Sequence, residues 1–154
     1  MTVYLVRHGS AGVRDDTNPD DDDRRLDSDG QHQARKLAEW LRHEPVTRIV
    51  SSPYRRCTDT VEPLVEVLGI GLEIDERLAE GTPIEKSWEL VSEVGSETVV
   101  LCSHGDVIPD IIRRAQLRGM HVPGKSGSSK GSAWTLRHWD GERFATGLYT
   151  PIKP

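Results

Sequence analysis

The sequence predicts an α/β fold: a three-layer sandwich with a mostly parallel central sheet and helices on both faces. Short apolar stretches of strand length alternate along the chain with longer stretches whose apolar residues recur at helical spacing. This alternation is typical of parallel strands joined by crossover helices, which bury both faces of the sheet. An Asp140-Gly141 pair between two further strand-like stretches predicts that an antiparallel hairpin is added to the sheet.

The predicted strands are short and dominated by apolar residues. They cover residues 2–6, 47–51, 72–74 and 98–101, and two more lie within 132–149. In open sheets of this kind, ligands bind beyond the carboxyl ends of the strands. The residues that directly follow the strands are therefore candidates for a functional site.

The predicted helices have clear start and stop signals. The first, over residues 28–43, carries four apolar residues at helical spacing and stops before Pro45. The second begins at Ser52-Pro53, a favourable pair for an N-cap and first turn, and ends at Gly69, with a kink or restart at Pro63. The other two begin at Thr82-Pro83 and near Asp106 and end at Gly95 and Leu117.

Composition bounds the class of protein. At 154 residues and 17.2 kDa the chain is long enough for one domain over residues 1–154 with a substantial core. It has no apolar run near 18 residues and no basic leader, so we expect neither a membrane span nor a signal peptide. A formal charge of −5 argues against nucleic acid as the main partner. Cys57 and Cys102 form no disulfide framework or zinc motif, and a cytoplasmic location is expected; the oligomeric state stays open.

Two predicted strands lead into the same short motif. One apolar stretch ends in Arg7-His8-Gly9 and another in Ser103-His104-Gly105. A buried arginine is costly without an anionic partner, and a histidine that is neutral near pH 7 can act as a nucleophile or a base. Gly9 allows a close approach of the backbone. Because both motifs follow strands of one sheet, they predict one shared site.

Arginines join the histidines at this edge of the sheet. Arg7, Arg56 and Arg55 offer guanidinium groups, whose forked donors match phosphate oxygens. The helix that begins near Asp106 is expected to point free N–H groups at the same place. This set indicates a phosphate site in which one neutral imidazole attacks phosphorus. The arginines would repel a cation, so we expect no metal and no other cofactor.

Several stretches together resemble the histidine phosphatase superfamily, the phosphoglycerate-mutase-like proteins. The motifs occur in the family's order, over roughly residues 3–117, and read LVRHGSAG, SSPYRRCTDTVEPL, RLAEGTP and VLCSHGDVI. RRLDSDGQHQARKLAEWL is similar to the family's helix after the first motif. The chain resembles in particular the compact SixA-type phosphohistidine phosphatases and the phosphatase modules fused to Nudix domains. The resemblance implies the phosphoglycerate-mutase-like fold and a phosphatase activity.

The resemblance also implies roles for individual residues. His8 is the nucleophile that becomes phosphohistidine, and Arg7, Arg56 and His104 complete the phosphate pocket. Glu80 matches the proton donor of many members. SixA-type proteins depart from this glutamate pattern, so Asp106 is the alternative donor.

Further residues beside the motifs are expected to contact the substrate. They are Gly9, Ser10, Arg55, Gly105 and Asp106, although Arg56 and not Arg55 matches the Ser-Ser-Pro-x-x-Arg pattern. Simpler interpretations stay open: Glu80 as a solvated loop residue and Asp106 as a helix N-cap. Lys125 and Lys130 could reach a substrate or be solvated.

The substrate implied by the resemblance is a phosphorylated small molecule or a protein phosphohistidine. The Nudix-associated modules point to nucleotides or other phosphate esters. The acidic run Asp20–Asp23 is expected to be a solvated loop or, alternatively, a negative gate that disfavours polyanionic substrates. A different class of function also stays open: a non-catalytic domain that binds a phosphorylated ligand or partner on the same fold.

Overall fold

The computed structural model describes residues 1–154 and contains one six-stranded sheet with two helices on each face. The strands are β1 (Thr2–Arg7), β2 (Arg48–Ser51), β3 (Leu72–Ile74), β4 (Val99–Ser103), β5 (Ala133–Arg137) and β6 (Thr146–Thr150). The helices are α1 (Ser28–Leu41), α2 (Arg55–Leu68), α3 (Ile84–Val94) and α4 (Val107–Leu117). The predicted three-layer α/β fold is confirmed. None of the helices combines the length and apolar character needed to cross a membrane.

The sheet has the strand order β3-β2-β4-β1-β5-β6. The first four strands of this order are parallel to one another, while β5 pairs antiparallel with β1, and β6 antiparallel with β5. The predicted hairpin is therefore confirmed. Its connection is shaped by Asp140, whose carboxylate accepts the N–H groups of Glu142 and Arg143, and by Gly141 at a φ of 103°. The pairing leaves β1 and β4 side by side in the middle of the sheet.

Two apolar cores lie on the two faces of the sheet. Because successive side chains of a strand point to opposite faces, Val3 and Leu5 of β1 pack towards α3 and α4. Tyr4 and Val6 of the same strand pack towards α1 and α2. The central strand β4 is buried along its whole length on both faces, and its one polar side chain with a hydroxyl, Ser103, lies at its carboxyl end.

The start of α2 differs from the prediction. The helix begins at Arg55, and Ser52 and Pro53 lie in the loop before it. Ser52 instead contacts one of the two motif histidines: its hydroxyl lies 2.8 Å from Nε2 of His104. At its other end α2 stops at Gly69 as predicted, in a left-handed conformation with a φ of 67°.

Pro63 does not restart α2, which runs as one helix from Arg55 to Leu68 with the proline inside it. A proline inside a helix removes one backbone hydrogen bond and costs about 3 kcal/mol. Here Val61 and Leu64, on either side of the proline, are fully buried in the core. This packing holds the helix together through Pro63.

Candidate active site

His8 and His104 are brought together by the pairing of the two central strands. In the parallel ladder between β1 and β4, Arg7 is opposite Ser103, so each histidine follows directly after a paired position. The His8 N–H also donates to the Ser103 carbonyl at 3.1 Å. The two imidazole centroids are 5.4 Å apart. The shared site predicted from the two His-Gly motifs therefore has a simple structural origin.

His8 is buried and held in one tautomer. Its Nδ1 lies 2.8 Å from the Gly9 carbonyl oxygen, so Nδ1–H donates this bond and Nε2 keeps a free lone pair. The pKa of His8 is lowered to about 3, chiefly by burial and in part by the nearby His104 and arginines, while the bond to the Gly9 carbonyl opposes the shift. The ring is therefore neutral at pH 7, with Nε2 able to attack an electrophile.

Arg7 lies between the two motifs because Gly105 leaves room for it. A Cβ atom on residue 105 would lie only 2.7 Å from the guanidinium carbon of Arg7. One terminal nitrogen of Arg7 donates to the Ser128 carbonyl at 2.6 Å. Its Nε is buried and has no partner. Gly105 is thus required for the arginine to reach this position.

Arg56 enters the site from the first turn of α2 and is fully buried. Its NH1 donates to the Asp21 carbonyl at 2.9 Å, and its NH2 lies 3.3 Å from carboxylate oxygens of both Asp21 and Glu80. The guanidinium carbon is 4.9 Å from the centroid of the Tyr54 ring. These contacts leave Nε of Arg56 without a partner.

His104 is oriented by its neighbours on one side of the ring only. Its Nε2 lies 2.8 Å from the Ser52 hydroxyl and 3.5 Å from the Cys57 sulfur, and the Tyr54 ring packs edge-on against it at 4.8 Å. Nδ1, on the other side, is buried and has no partner. A bond donated by Ser52 to Nε2 places the proton on Nδ1, which is then available to donate to a ligand.

The unpartnered polar atoms point to an anionic ligand. Four buried side-chain nitrogen or oxygen atoms lack a hydrogen-bond partner, and three of them are Nε of Arg7, Nε of Arg56 and Nδ1 of His104. A buried polar group without a partner costs about 1–3 kcal/mol. All three are donors, and all belong to residues that the sequence predicts for a phosphate pocket. A group with several acceptor oxygens would satisfy them together.

Glu80 and Asp106 both lie at the site but are bound differently. Oε1 of Glu80 contacts Arg14 and Arg56, while its second oxygen has no protein donor. Asp106 caps α4: one carboxylate oxygen accepts the Val107 N–H at 2.9 Å and the other the Gly81 N–H at 2.8 Å. The first N–H of α4 is therefore occupied by Asp106 and does not point freely into the site, contrary to the expectation from sequence.

Next to Arg7 and His8 lies a cavity of about 420 Å³ that has no hydrophobic lining residue, and Arg56 and His104 are not among the residues that line it. Four of the lining side chains are cationic and two are carboxylates. The lining consists of Arg7, His8, Gly12, Arg14, Arg24, Glu80, Gly105, Asp106 and Lys130. The cavity is suited to a strongly polar, negatively charged ligand.

Comparison with known proteins assigns the family. A sequence profile of the histidine phosphatase superfamily (branch 1) matches residues 3–83. The chain belongs to the histidine phosphatase superfamily. The 8-oxo-(d)GTP phosphatase of Mycolicibacterium smegmatis is 32% identical over 157 residues, covering 97% of this chain and 48% of that protein. The chain thus spans about half the length of this relative.

Two solved structures have the same fold as this histidine phosphatase chain. The protein histidine phosphatase SixA in complex with tungstate has a TM-score of 0.76 at 18% identity, covering 99% of this chain and 96% of that one. A mycobacterial glucosyl-3-phosphoglycerate phosphatase has a TM-score of 0.72 at 20% identity, covering 99% and 98%. The family and the fold predicted from the sequence are both confirmed.

Some predicted substrate contacts of this histidine phosphatase lie elsewhere. The Ser10 hydroxyl donates to the carboxylate of Asp27, the N-cap of α1, at 2.6 Å. Arg55 is exposed and pairs with Asp23. Gly9 serves packing, since a Cβ there would meet the backbone of Gly30 at 3.0 Å. The structure does not bring Ser10 or Arg55 to the cavity.

The acidic run of this histidine phosphatase is not simply a solvated loop. Asp20, Asp22 and Asp23 are exposed, but Asp21 is partly buried against Arg56 and Arg24. Burial alone would raise the pKa of Asp21, yet these arginines hold it below its usual value. The charge of Asp21 is thereby neutralised within the protein.

The site also contains residues that the sequence did not predict. Arg14 and Arg24 come from the loop between β1 and α1 and line the cavity. Tyr54 packs against both Arg56 and His104. Of the two lysines considered, Lys130 lines the cavity and Lys125 does not. Basic residues shortly after a His-Gly motif are a signal that could have suggested Arg14.

Proposed function

We propose that this chain hydrolyses a phosphate monoester or a phosphohistidine through a covalent phosphohistidine on His8. The observation that carries the proposal is the group of unpartnered donors on Arg7, Arg56 and His104 beside a neutral His8. Donors fixed in place before the reaction stabilise charge in the transition state without reorganisation. A phosphoryl group with three equatorial oxygens matches these three residues.

In the first step, Nε2 of His8 attacks phosphorus, so that a P–N bond forms as the bond to the leaving group breaks. Glu80 donates a proton to the leaving group. In the second step, the same carboxylate takes a proton from water, whose oxygen attacks phosphorus and breaks the P–N bond. We assign this role to Glu80 because both oxygens of Asp106 are occupied by backbone N–H groups. The two steps need neither a metal nor another cofactor.

The substrate class follows from the cavity and from the relatives together. A cavity without hydrophobic lining favours a substrate whose phosphorylated end is strongly polar. The names of similar proteins include an 8-oxo-(d)GTP phosphatase and a protein histidine phosphatase, so nucleotides and phosphohistidine proteins are both candidates. We also propose that residues 1–154 form one domain, which the single sheet formed by both ends of the chain supports.

The test is a labelling experiment on wild type, His8→Ala and a control variant, His32→Ala, whose histidine is exposed on α1. Wild type and His32→Ala should hydrolyse p-nitrophenyl phosphate and carry an acid-labile, base-stable phosphoryl label during turnover. His8→Ala should do neither. A label that persists in His8→Ala would place the nucleophile elsewhere. A wild-type protein that binds phosphate but hydrolyses no phosphate ester or phosphohistidine would favour the non-catalytic binding domain.

A further inference from the structure

Lys130 is the one cationic side chain of the active-site cavity that has no acceptor within the protein. The other three, Arg7, Arg14 and Arg24, each donate to a carboxylate or carbonyl oxygen. The ammonium of Lys130 makes neither a hydrogen bond nor an ion pair, although its side chain lines the same cavity. An unpaired cation beside a phosphate pocket is free to bind a ligand.

The backbone around Lys130 is fixed next to the proposed nucleophile. The Gly131 N–H donates to the His8 carbonyl at 2.9 Å. The buried side chain of Gln33 donates to the Lys130 carbonyl at 2.8 Å and accepts the Ser10 N–H at 2.9 Å. These bonds tie the segment that carries Lys130 to the segment that carries His8. The backbone of Lys130 is therefore fixed beside the site, while its ammonium group has no partner in the protein.

The transferring phosphoryl group is already served by other donors. Arg7, Arg56 and His104 supply the unpartnered nitrogens beside His8. Asp21, the residue of the acidic run that contacts the site, is paired with arginines. Its charge therefore does not repel a second anionic group of a substrate. The free ammonium of Lys130 is therefore best matched by an anionic group other than the phosphoryl group that is transferred.

We propose that Lys130 binds a second anionic group of the substrate, a phosphate or a carboxylate close to the phosphoryl group that His8 attacks. The proposal rests on the proposed function, because it names the substrate class of the same site. Compact substrates with two anionic groups are then preferred over simple phosphate monoesters.

Binding of non-hydrolysable phosphonates tests this without any need for turnover. Methylphosphonate offers one anionic group, methylenediphosphonate adds a second phosphate-like group and phosphonoacetate adds a carboxylate. By isothermal titration calorimetry, wild type should bind at least one of the bifunctional ligands more tightly than methylphosphonate. Lys130→Ala should reduce that preference about tenfold, since a hydrogen bond to a charged group is lost. Lys130→Arg should retain most of it.

Lys125→Ala is the matched control, because Lys125 lies in the same loop, is exposed and does not line the cavity. It should leave the preference unchanged. Loss of the diphosphonate preference identifies a second phosphate, and loss of the phosphonoacetate preference identifies a carboxylate. A wild type without any preference, or an unchanged preference in Lys130→Ala, overturns the proposal. Failure of the His8 labelling experiment, in contrast, would count against the proposed reaction and leave this binding result intact.

Discussion

Replacing Gly105 with alanine should impair catalysis while leaving the fold intact. The new Cβ would lie 2.7 Å from the guanidinium carbon of Arg7, and 2.9 Å and 3.0 Å from two of its nitrogens. Ordinary van der Waals contacts of a Cβ atom begin near 3.4 Å, so the guanidinium carbon must move by at least about 0.7 Å. The atoms that must move are the far end of a flexible side chain and not backbone. A misplacement of about 1 Å in a group that positions the reaction costs about 10²-fold in rate, so an effect approaching this size is expected.

The assay is kcat/KM for p-nitrophenyl phosphate, measured with the free energy of unfolding from urea titration. We expect kcat/KM to fall about 100-fold and the free energy of unfolding to change by less than about 1 kcal/mol. Gly71→Ala is the control, because its Cβ would meet no atom within 4 Å and its φ is not positive. Full activity in Gly105→Ala would refute the placement of Arg7 in the site. Unfolding of Gly105→Ala would refute the claim that the side chain of Arg7 can move aside without disturbing the fold.

Three other predictions use the same assays. Gly30→Ala should destabilise the protein by about 3 kcal/mol, because its Cβ would lie 2.0 Å from the rigid backbone carbonyl of Ser10; an unchanged urea midpoint would contradict this. Arg56→Ala and His104→Ala should stay folded by circular dichroism and lose about 10²- to 10³-fold in kcat; wild-type turnover in either would count against a shared site. The pKa of His8 is lowered by burial to about 3, so the unfolded state takes up a proton first as pH falls below about 6.5. Wild type should therefore lose about 2 kcal/mol of stability between pH 7 and pH 5 that His8→Gln does not lose, and parallel pH profiles would exclude a buried neutral His8.

The parts of the site that follow directly from strand ends could be predicted from the sequence. A parallel sheet brings the carboxyl ends of its strands to one edge, so two strands ending in His-Gly necessarily place His8 and His104 together. The helical spacing of apolar residues and the Asp140-Gly141 turn are also signals that lie within short stretches of sequence. The fold could be predicted because it depends mainly on such local signals.

Side chains whose direction depends on tertiary packing could not be predicted in this way. Successive residues of a helix point about 100° apart, so Arg55 and Arg56 cannot both face the site. Arg56 is fully buried, while Arg55 is exposed. Arg14 reaches Glu80 across 66 positions of sequence, a contact that no local pattern encodes. The start of α2 was misplaced because the hydroxyl of Ser52 is used by His104, a partner from a distant strand.

The two histidines follow the paired strands β1 and β4, whereas other residues of the cavity come from loops, and this division affects how the enzyme family can diversify. The two imidazoles directly follow the paired central strands β1 and β4, which are buried on both faces of the sheet. Arg14 and Lys130, in contrast, come from connecting loops that lie over the cavity. Loops tolerate replacement far better than central strands. Grafting a different segment between β1 and α1, or between α4 and β5, should therefore change which leaving group the domain accepts while His8 and His104 keep their positions.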